Sequence, residues 1–278
     1  MELEKSGRSG TPAVLLLTDR APEETLAALK GLGKDYTLLA APADAPVQEL
    51  EAALLEETGG LLWGAYGLHA GADSLLRLLS RGRLRIRAAV LEGAFTMPET
   101  LPDPRKTRVI CWVGDKDKAA KKAWQGLGER VSPVDSLTVK KLPKKESLLS
   151  FRPDIAAAQL TKAFGTAVCV QRRIVLEQSP DRVWRHLREY PAYRERGILT
   201  KHQPVERVEE ARIQLLQGSS DKLTLWIHAT HVEERDGKTV CIDRIELEAG
   251  KLNTAAKPLA ELYLTLLQLQ RARGLKKS

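Results

Sequence analysis

The residues with the clearest capacity for chemistry stand in the stretch GLHAG, residues 67–71. An apolar run, GLLWGAY, precedes it, and an amphipathic stretch, GADSLLRLLSR, follows it. A tight turn between a strand and a helix, flanked by small residues, is a setting in which a protein can expose a reactive side chain. The pattern therefore predicts that His69 lies at a sharp strand-to-helix turn with a strained backbone.

Further polar groups follow later apolar runs of the chain. Asp117, with Asp115 as the alternative, comes after RVICWVG, and Glu146 or Ser147 comes after SLTVKKL. The carboxyl ends of parallel strands meet at one edge of a sheet. We therefore expect these groups to lie at the same edge as His69.

The elements that must position these residues alternate between short apolar runs and amphipathic stretches as far as about residue 164. That alternation is typical of βαβ units, and it predicts an α/β domain with a parallel, doubly wound sheet of about six strands. We assign residues 12–165 to this domain and residues 1–11 to a flexible N-terminal tail.

After Phe164 the pattern changes to a strand, a helix and antiparallel-looking segments, which predicts a smaller α+β domain over residues 166–278. Turn signals such as Asp236-Gly237 separate the strands. The domain ends in a long amphipathic helix from about Asn253 to Arg273. From its apolar stripe we expect four side chains of this helix to be buried against a sheet: Leu259, Leu262, Tyr263 and Leu266.

The order of elements around GLHAG resembles the α/β-hydrolase superfamily over about residues 12–164. The resemblance implies a nucleophile at His69, an acid at Asp117 and a catalytic histidine at Glu146 or Ser147. Only the acid is retained, and Asp19 stands where that family places oxyanion donors. Since acyl transfer by this device needs a hydroxyl and an imidazole, we interpret the domain as a catalytically degenerate pseudoenzyme.

One alternative stays open beside this interpretation: a hydrolase or cyclase-type enzyme that uses a non-standard site around His69, Asp117 and Glu146. A cation site at the same edge is disfavoured, because one imidazole with scattered carboxylates lacks paired ligand spacing. We therefore predict no metal and no cofactor.

The second domain resembles the START-like helix-grip superfamily (SRPBCC, polyketide cyclase-like), through the fragment SPDRVW and the long terminal helix. The resemblance implies a cavity between a curved sheet and that helix, and hence a small apolar ligand or, alternatively, a protein partner. The residues expected to line the cavity are Trp226, His228, Leu262, Tyr263 and Leu266.

Composition narrows the remaining function classes. The chain of 278 residues carries a formal net charge of +8, but its basic residues are spread and its densest cluster, RGRLRIR, contains no aromatic residue to stack bases. We therefore predict no nucleic-acid partner. The sequence contains no apolar run of about 18 residues and begins with a polar segment, which predicts a cytoplasmic protein without a membrane span. The three cysteines, scattered in strand-like runs, are expected to be buried thiols.

Overall fold

A computed structural model describes residues 1–8, 10–101, 107–131, 134–139, 142, 146–189, 202–209, 212–218, 226–248 and 256–277. The chain divides into two compact units. The first unit comprises Met1–Leu54 and Leu61–Gly165, and the second comprises Leu55–Gly60 and Thr166–Ser278.

The described part of the first unit contains a seven-stranded sheet in the order β1-β3-β2-β4-β5-β6-β7. All of its strands except β1 run parallel to their neighbours. The carboxyl ends of six strands therefore meet at one edge. The strands are β1 (Glu4–Gly7), β2 (Ala13–Thr18), β3 (Thr37–Pro42), β4 (Leu61–Leu68), β5 (Arg85–Glu92), β6 (Arg108–Gly114) and β7 (Val134–Val139).

Helices connect most of these strands, and the sequence marks several of their ends. Helix α1 begins with Pro22 at its first turn, and α3 ends at Gly82, whose φ of 69° is the left-handed conformation that glycine adopts readily. The predicted α/β class is confirmed. The helices are α1 (Pro22–Ala28), α2 (Val47–Thr58), α3 (Ala70–Arg81), α4 (Lys118–Arg130), α5 (Leu148–Phe151) and α6 (Pro153–Phe164), with a short 3₁₀ helix at Lys30–Lys34.

The N-terminal segment predicted as a flexible tail contains β1, which pairs antiparallel with β3 from Glu4 to Gly7. This expectation was wrong because β1 is held by main-chain hydrogen bonds at the edge of the sheet. Its side chains are exposed and show no apolar alternation, so side-chain patterning gave no signal for it.

The described part of the second unit contains a five-stranded antiparallel sheet in the order β8-β12-β11-β10-β9. Strands β11 and β12 are joined at Asp236 and Gly237, both with positive φ, which is the predicted hairpin turn. The smaller antiparallel unit expected from the sequence is thus confirmed. Its elements are β8 (Ala167–Leu176), α7 (Pro180–Glu189), β9 (His202–Val208), β10 (Ile213–Gly218), β11 (Trp226–Arg235), β12 (Lys238–Glu248) and α8 (Ala256–Lys277).

Helix α8 packs on the sheet through a different face from the one predicted. Leu264 is buried in a cluster with residues of β8 and β12, and Tyr263 is only partly buried beside it. Leu259, Leu262 and Leu266 are 69%, 57% and 56% exposed. The prediction that these three leucines are buried was wrong, because α8 is apolar on more than one side and polar residues of the helix face the sheet.

Truncation of a side chain to alanine should affect stability differently on the two faces of α8. We expect Leu264→Ala to lower the free energy of unfolding of the second unit by about 2 to 5 kcal/mol, because it leaves a cavity in a packed cluster. The matched variant Leu262→Ala should change it by less than about 0.5 kcal/mol. Chemical denaturation of both variants tests this, and equal losses would contradict the observed face.

Two further sequence-based expectations concern the cysteines and membrane-spanning segments. Cys111, Cys169 and Cys241 are buried free thiols, as predicted. Burial raises the pKa of Cys111 and of Cys169 to about 12. No helix among the described residues is long and apolar enough to cross a membrane.

Candidate functional site

His69 is the single residue between β4 and α3. Its backbone has φ 50° and ψ −112°, a sparsely populated region for a residue with a side chain. The backbone N–H of His69 donates to the carbonyl oxygen of Glu92 at 3.0 Å, which ties the turn to the end of β5. The predicted sharp strand-to-helix turn is confirmed.

Small residues around His69 allow the strand and the helix to approach each other. A Cβ at Gly71 would lie 1.9 Å from the carbonyl oxygen of Leu17, and a Cβ at Gly67 would lie 2.6 Å from the carbonyl oxygen of Gly71. Both contacts are with backbone atoms, which cannot rotate away. The glycines of the GLHAG stretch are therefore required by packing, whatever the chemistry of the turn.

The imidazole of His69 lies against the backbone of Gly93, where a Cβ would approach its Nδ1 to 2.4 Å. Gly93 has φ 88°, so both the space and the backbone conformation favour glycine there. The ring of His69 makes no hydrogen bond or ion pair with a described residue. Among the described residues, no carboxylate orients this imidazole for proton transfer.

The buried acid at this edge is Glu92, which is 3% exposed. One of its carboxyl oxygens accepts from the hydroxyl of Tyr66 and the other accepts from the backbone N–H of Leu148. Burial raises the pKa of Glu92, and the nearby charge of Asp19 adds to the rise. Burial and the neighbouring Glu92 also raise the pKa of Tyr66 well above its usual value. Glu92 thus joins β4, β5 and the segment after β7.

Asp117, predicted to stand in the place of the acid, is the N-cap of α4. Its Oδ1 accepts from the N–H of Ala120 at 2.9 Å, while Lys121 Nζ donates to the carbonyl oxygen of Asp115 at 2.6 Å. No described hydrogen bond or ion pair joins Asp117 to His69. The structure assigns Asp117 a helix-capping interaction, and its role as a catalytic acid stays a prediction.

Glu146 is exposed and makes no hydrogen bond or ion pair with any described residue. The next residue, Ser147, caps α5 by accepting from the N–H of Ser150 at 3.0 Å. The hydroxyl of Ser150 also accepts from Nη2 of Arg20 at 2.8 Å. No described hydrogen bond or ion pair joins Glu146 to His69, so a role for Glu146 in a site around His69 stays a prediction.

A groove of about 620 Å³ lies beside the first turns of α3, between that helix and residues 43–48. Asp73, Ser74 and Arg77 line it, but His69 does not. The groove is thus displaced along α3 from the turn. Among the described residues, no cluster of three or more His, Cys, Asp or Glu side chains is arranged to hold a metal ion.

In the second unit, a buried polar centre lies between the sheet and α8. His228 Nε2 is 2.6 Å from Asp243 Oδ1, and Arg271 of α8 donates to the hydroxyl of Thr230 at 2.9 Å. Arg271 Nε also lies 3.3 Å from Asp243 Oδ1, and Gln268 Nε2 donates to the carbonyl oxygen of Asp243 at 2.7 Å. His228, Thr230, Asp243, Gln268 and Arg271 are each at most 8% exposed.

Nε2 of His228 has two close polar neighbours. Arg271 Nη1 also lies 3.1 Å from His228 Nε2, and a guanidinium has only donors whereas an ionised Asp243 has only acceptors. The imidazole nitrogen therefore lies between a cation and the carboxylate of Asp243. Burial lowers the pKa of Arg271 to about 9. One carboxylate therefore holds both the imidazole and a strongly desolvated cation.

Of the predicted ligand-lining residues whose side chains the structure describes, His228 alone lies in this buried centre. Leu262 and Leu266 are largely exposed, and Tyr263 packs at the edge of the apolar cluster of Leu264. Trp226 belongs to β11, but its side chain lies outside the described atoms. Sequence patterning missed Asp243 and Arg271 because charged residues are expected to face solvent, and only their mutual pairing makes burial possible.

The strand order of the first unit, with a positive-φ residue leading from β4 into α3, decides its class. The first unit has an α/β-hydrolase-like fold. No family model and no curated protein matches the sequence.

Three solved structures illustrate what the units are similar to. A protein assigned to the α/β hydrolase family from Desulfitobacterium hafniense shares 16% identity, covers 58% of this chain and 99% of its own, with a TM-score of 0.49. The carboxylesterase of Bacillus cereus shares 14% identity over 58% of this chain and 94% of its own, with a TM-score of 0.45. The major latex-like protein 151 of Panax ginseng shares 12% identity over 38% of this chain and 94% of its own, with a TM-score of 0.28.

Proposed function

We propose that the chain is a binding protein whose hydrolase-like unit has lost catalysis and whose second unit, START-like in its design, holds a small ligand. One observation carries the first half of this proposal. Glu92 accepts hydrogen bonds through one carboxyl oxygen from Tyr66 and through the other from the backbone N–H of Leu148. These bonds fix the segment after β7, which is the place where a catalytic histidine is required.

Acyl transfer on this fold needs a hydroxyl or thiol on the turn, an imidazole to take its proton and a carboxylate to orient that imidazole. Here the turn carries His69, Asp117 caps α4, and Ser147 caps α5. An exposed acid, Asp19, follows β2, where a developing oxyanion would need hydrogen-bond donors. The turn thus lacks a hydroxyl, and residues 140–165 contain no histidine, which supports a scaffold or binding role for this unit.

The proposed ligand site of the second unit is the layer between its sheet and α8. A strand, a helix, further antiparallel strands and a long terminal helix on the sheet support the START-like interpretation. The buried centre of His228, Asp243 and Arg271 lies in that layer and shows that it is not purely apolar. The exposed leucines of α8 lie outside the layer, so Leu262 and Leu266 do not belong to the proposed ligand site.

The loss of catalysis can be tested with short-chain p-nitrophenyl esters and matching thioesters. We expect no hydrolysis above background for the wild-type protein, and no difference between it and His69→Ala, because no described residue orients the His69 imidazole. The Glu92→Gln variant serves as a second probe of the same edge. Turnover that depends on His69 or Glu92 would contradict the proposal and support an enzyme with a non-standard site.

A further inference from the structure

A row of four polar side chains crosses the sheet of the second unit. Gln214 of β10 is paired with Thr230 of β11, Thr230 with Asp243 of β12, and Asp243 with Arg172 of β8. Directly opposed residues on antiparallel strands project to the same face of the sheet. Since Thr230 contacts Arg271 of α8, this row faces the layer covered by that helix.

Three atoms of this row are buried and have no hydrogen-bond partner among the described residues. They are Oδ2 of Asp243, Oε1 of Gln214 and Nε of Arg172. Asp243 and Gln214 are 0% and 3% exposed, so bulk water does not satisfy their oxygens. A buried polar atom without a partner is costly and uncommon, and it indicates a bound water or ligand group.

The charges of the row do not cancel within the described part of the unit. Asp243 supplies one negative charge, and Arg271 already contacts its Oδ1. Arg172 lies opposite Asp243 in the register but forms no ion pair with a described residue. Arg172 thus has no described carboxylate of its own, and a second negative charge in the layer would be stabilised by it.

We infer that this layer binds a small organic acid that also carries a hydroxyl group. Arg172 takes the carboxylate, and the hydroxyl donates to Oδ2 of Asp243 or Oε1 of Gln214. The inference rests on the proposed ligand-binding function and specifies its ligand class. A purely apolar ligand would leave both buried acceptors and the Arg172 donor unpaired, so the row discriminates against it.

Calorimetric titration of the full chain with three probes of similar size tests the ligand class. The probes are para-hydroxybenzoate, benzoate, which lacks the hydroxyl, and phenol, which lacks the carboxylate. We expect one para-hydroxybenzoate per chain, bound at least tenfold more tightly than either control. Equal affinities for all three probes, or tighter binding of phenol, would overturn the inference.

Variants of the row test separately how the carboxylate and the hydroxyl group of the ligand are recognised. Arg172→Gln should weaken para-hydroxybenzoate at least tenfold and leave phenol unchanged, while Arg173→Gln, at the exposed neighbouring position, should change neither. Gln214→Met should weaken para-hydroxybenzoate about fivefold and leave benzoate unchanged. Loss of affinity in Arg173→Gln as large as that in Arg172→Gln would contradict the assignment.

Binding of a neutral fluorescent probe, N-phenyl-naphthylamine, separates failure of the proposed ligand-binding function from failure of the inferred ligand class. If it binds and the acids do not, the second unit is a ligand carrier of the apolar class, and only the inference about the acid fails. If neither class binds, the ligand-binding function fails as well, and the row holds structural water.

Discussion

Replacement of Arg271 by methionine is expected to lower the free energy of unfolding of the second unit by about 3 to 5 kcal/mol. The change removes the cation that contacts Asp243 and donates to Thr230, and it leaves a carboxylate that is 0% exposed with one fewer partner. Hydrogen exchange in β11 and β12 during chemical denaturation measures the loss in this unit alone.

Two further variants control this result. Arg273→Met, on the exposed side of the same helix, should change the free energy of unfolding by less than about 0.5 kcal/mol. Combining Arg271→Met with Asp243→Asn should recover part of the loss, because the unpaired charge is then gone. A loss in Arg271→Met below about 1 kcal/mol would show that Asp243 is solvated and that the polar centre is not closed.

Substitution of Gly71 by alanine is expected to destabilise the first unit by about 3 kcal/mol or more. The added Cβ would lie 1.9 Å from the carbonyl oxygen of Leu17 and 2.5 Å from its carbonyl carbon. No side-chain rotation relieves contacts with backbone atoms, so β2 and α3 must separate. Thermal and chemical denaturation of the full chain, followed by hydrogen exchange in β2, measure the effect.

Gly128→Ala is the matched control for this substitution. Gly128 lies inside α4, and a Cβ there meets nothing within 4 Å. Alanine should therefore stabilise that helix by about 0.5 to 1 kcal/mol through its higher helix propensity. If Gly71→Ala and Gly128→Ala behaved alike, the close approach at the turn would be wrong.

The parallel core and the turn at His69 could be predicted because their signals are local. A strand buried on both faces, such as β4, reads as a continuous apolar run. The glycines around His69 report a close approach of strand and helix within a few residues of sequence. Strand β1 gave no comparable signal, since main-chain pairing at a sheet edge does not depend on side-chain type.

The buried face of α8 was predicted wrongly because it depends on residues outside the helix. The rule that apolar residues face inward selected Leu259, Leu262 and Leu266. The sheet, however, presents Asp243 at its centre, and Gln268 and Arg271 hydrogen-bond or pair with the residues there. Which stripe is buried was decided by polar groups on strands far away in sequence.

In the candidate site of the first unit, too, contacts between residues far apart in sequence could not be predicted. The sequence identified His69, Asp117 and Glu146 by their places after strands, but it could not show that Asp117 and Ser147 cap helices. Nor could it show that Glu92 is paired with Leu148, which lies 56 residues away in sequence. Such long-range hydrogen bonds decide whether a retained carboxylate can act in catalysis.

Fluorophosphonate labelling of the native chain, analysed by mass spectrometry of its peptides, tests the proposed loss of catalysis most directly. The probe reacts with a hydroxyl only where an imidazole and an oxyanion site activate it. We predict no adduct at any residue, because His69 carries no hydroxyl and Ser147 is engaged in capping α5. A stoichiometric adduct at Ser74 or Ser147 would reveal a relocated nucleophile and contradict the assignment of this unit as non-catalytic.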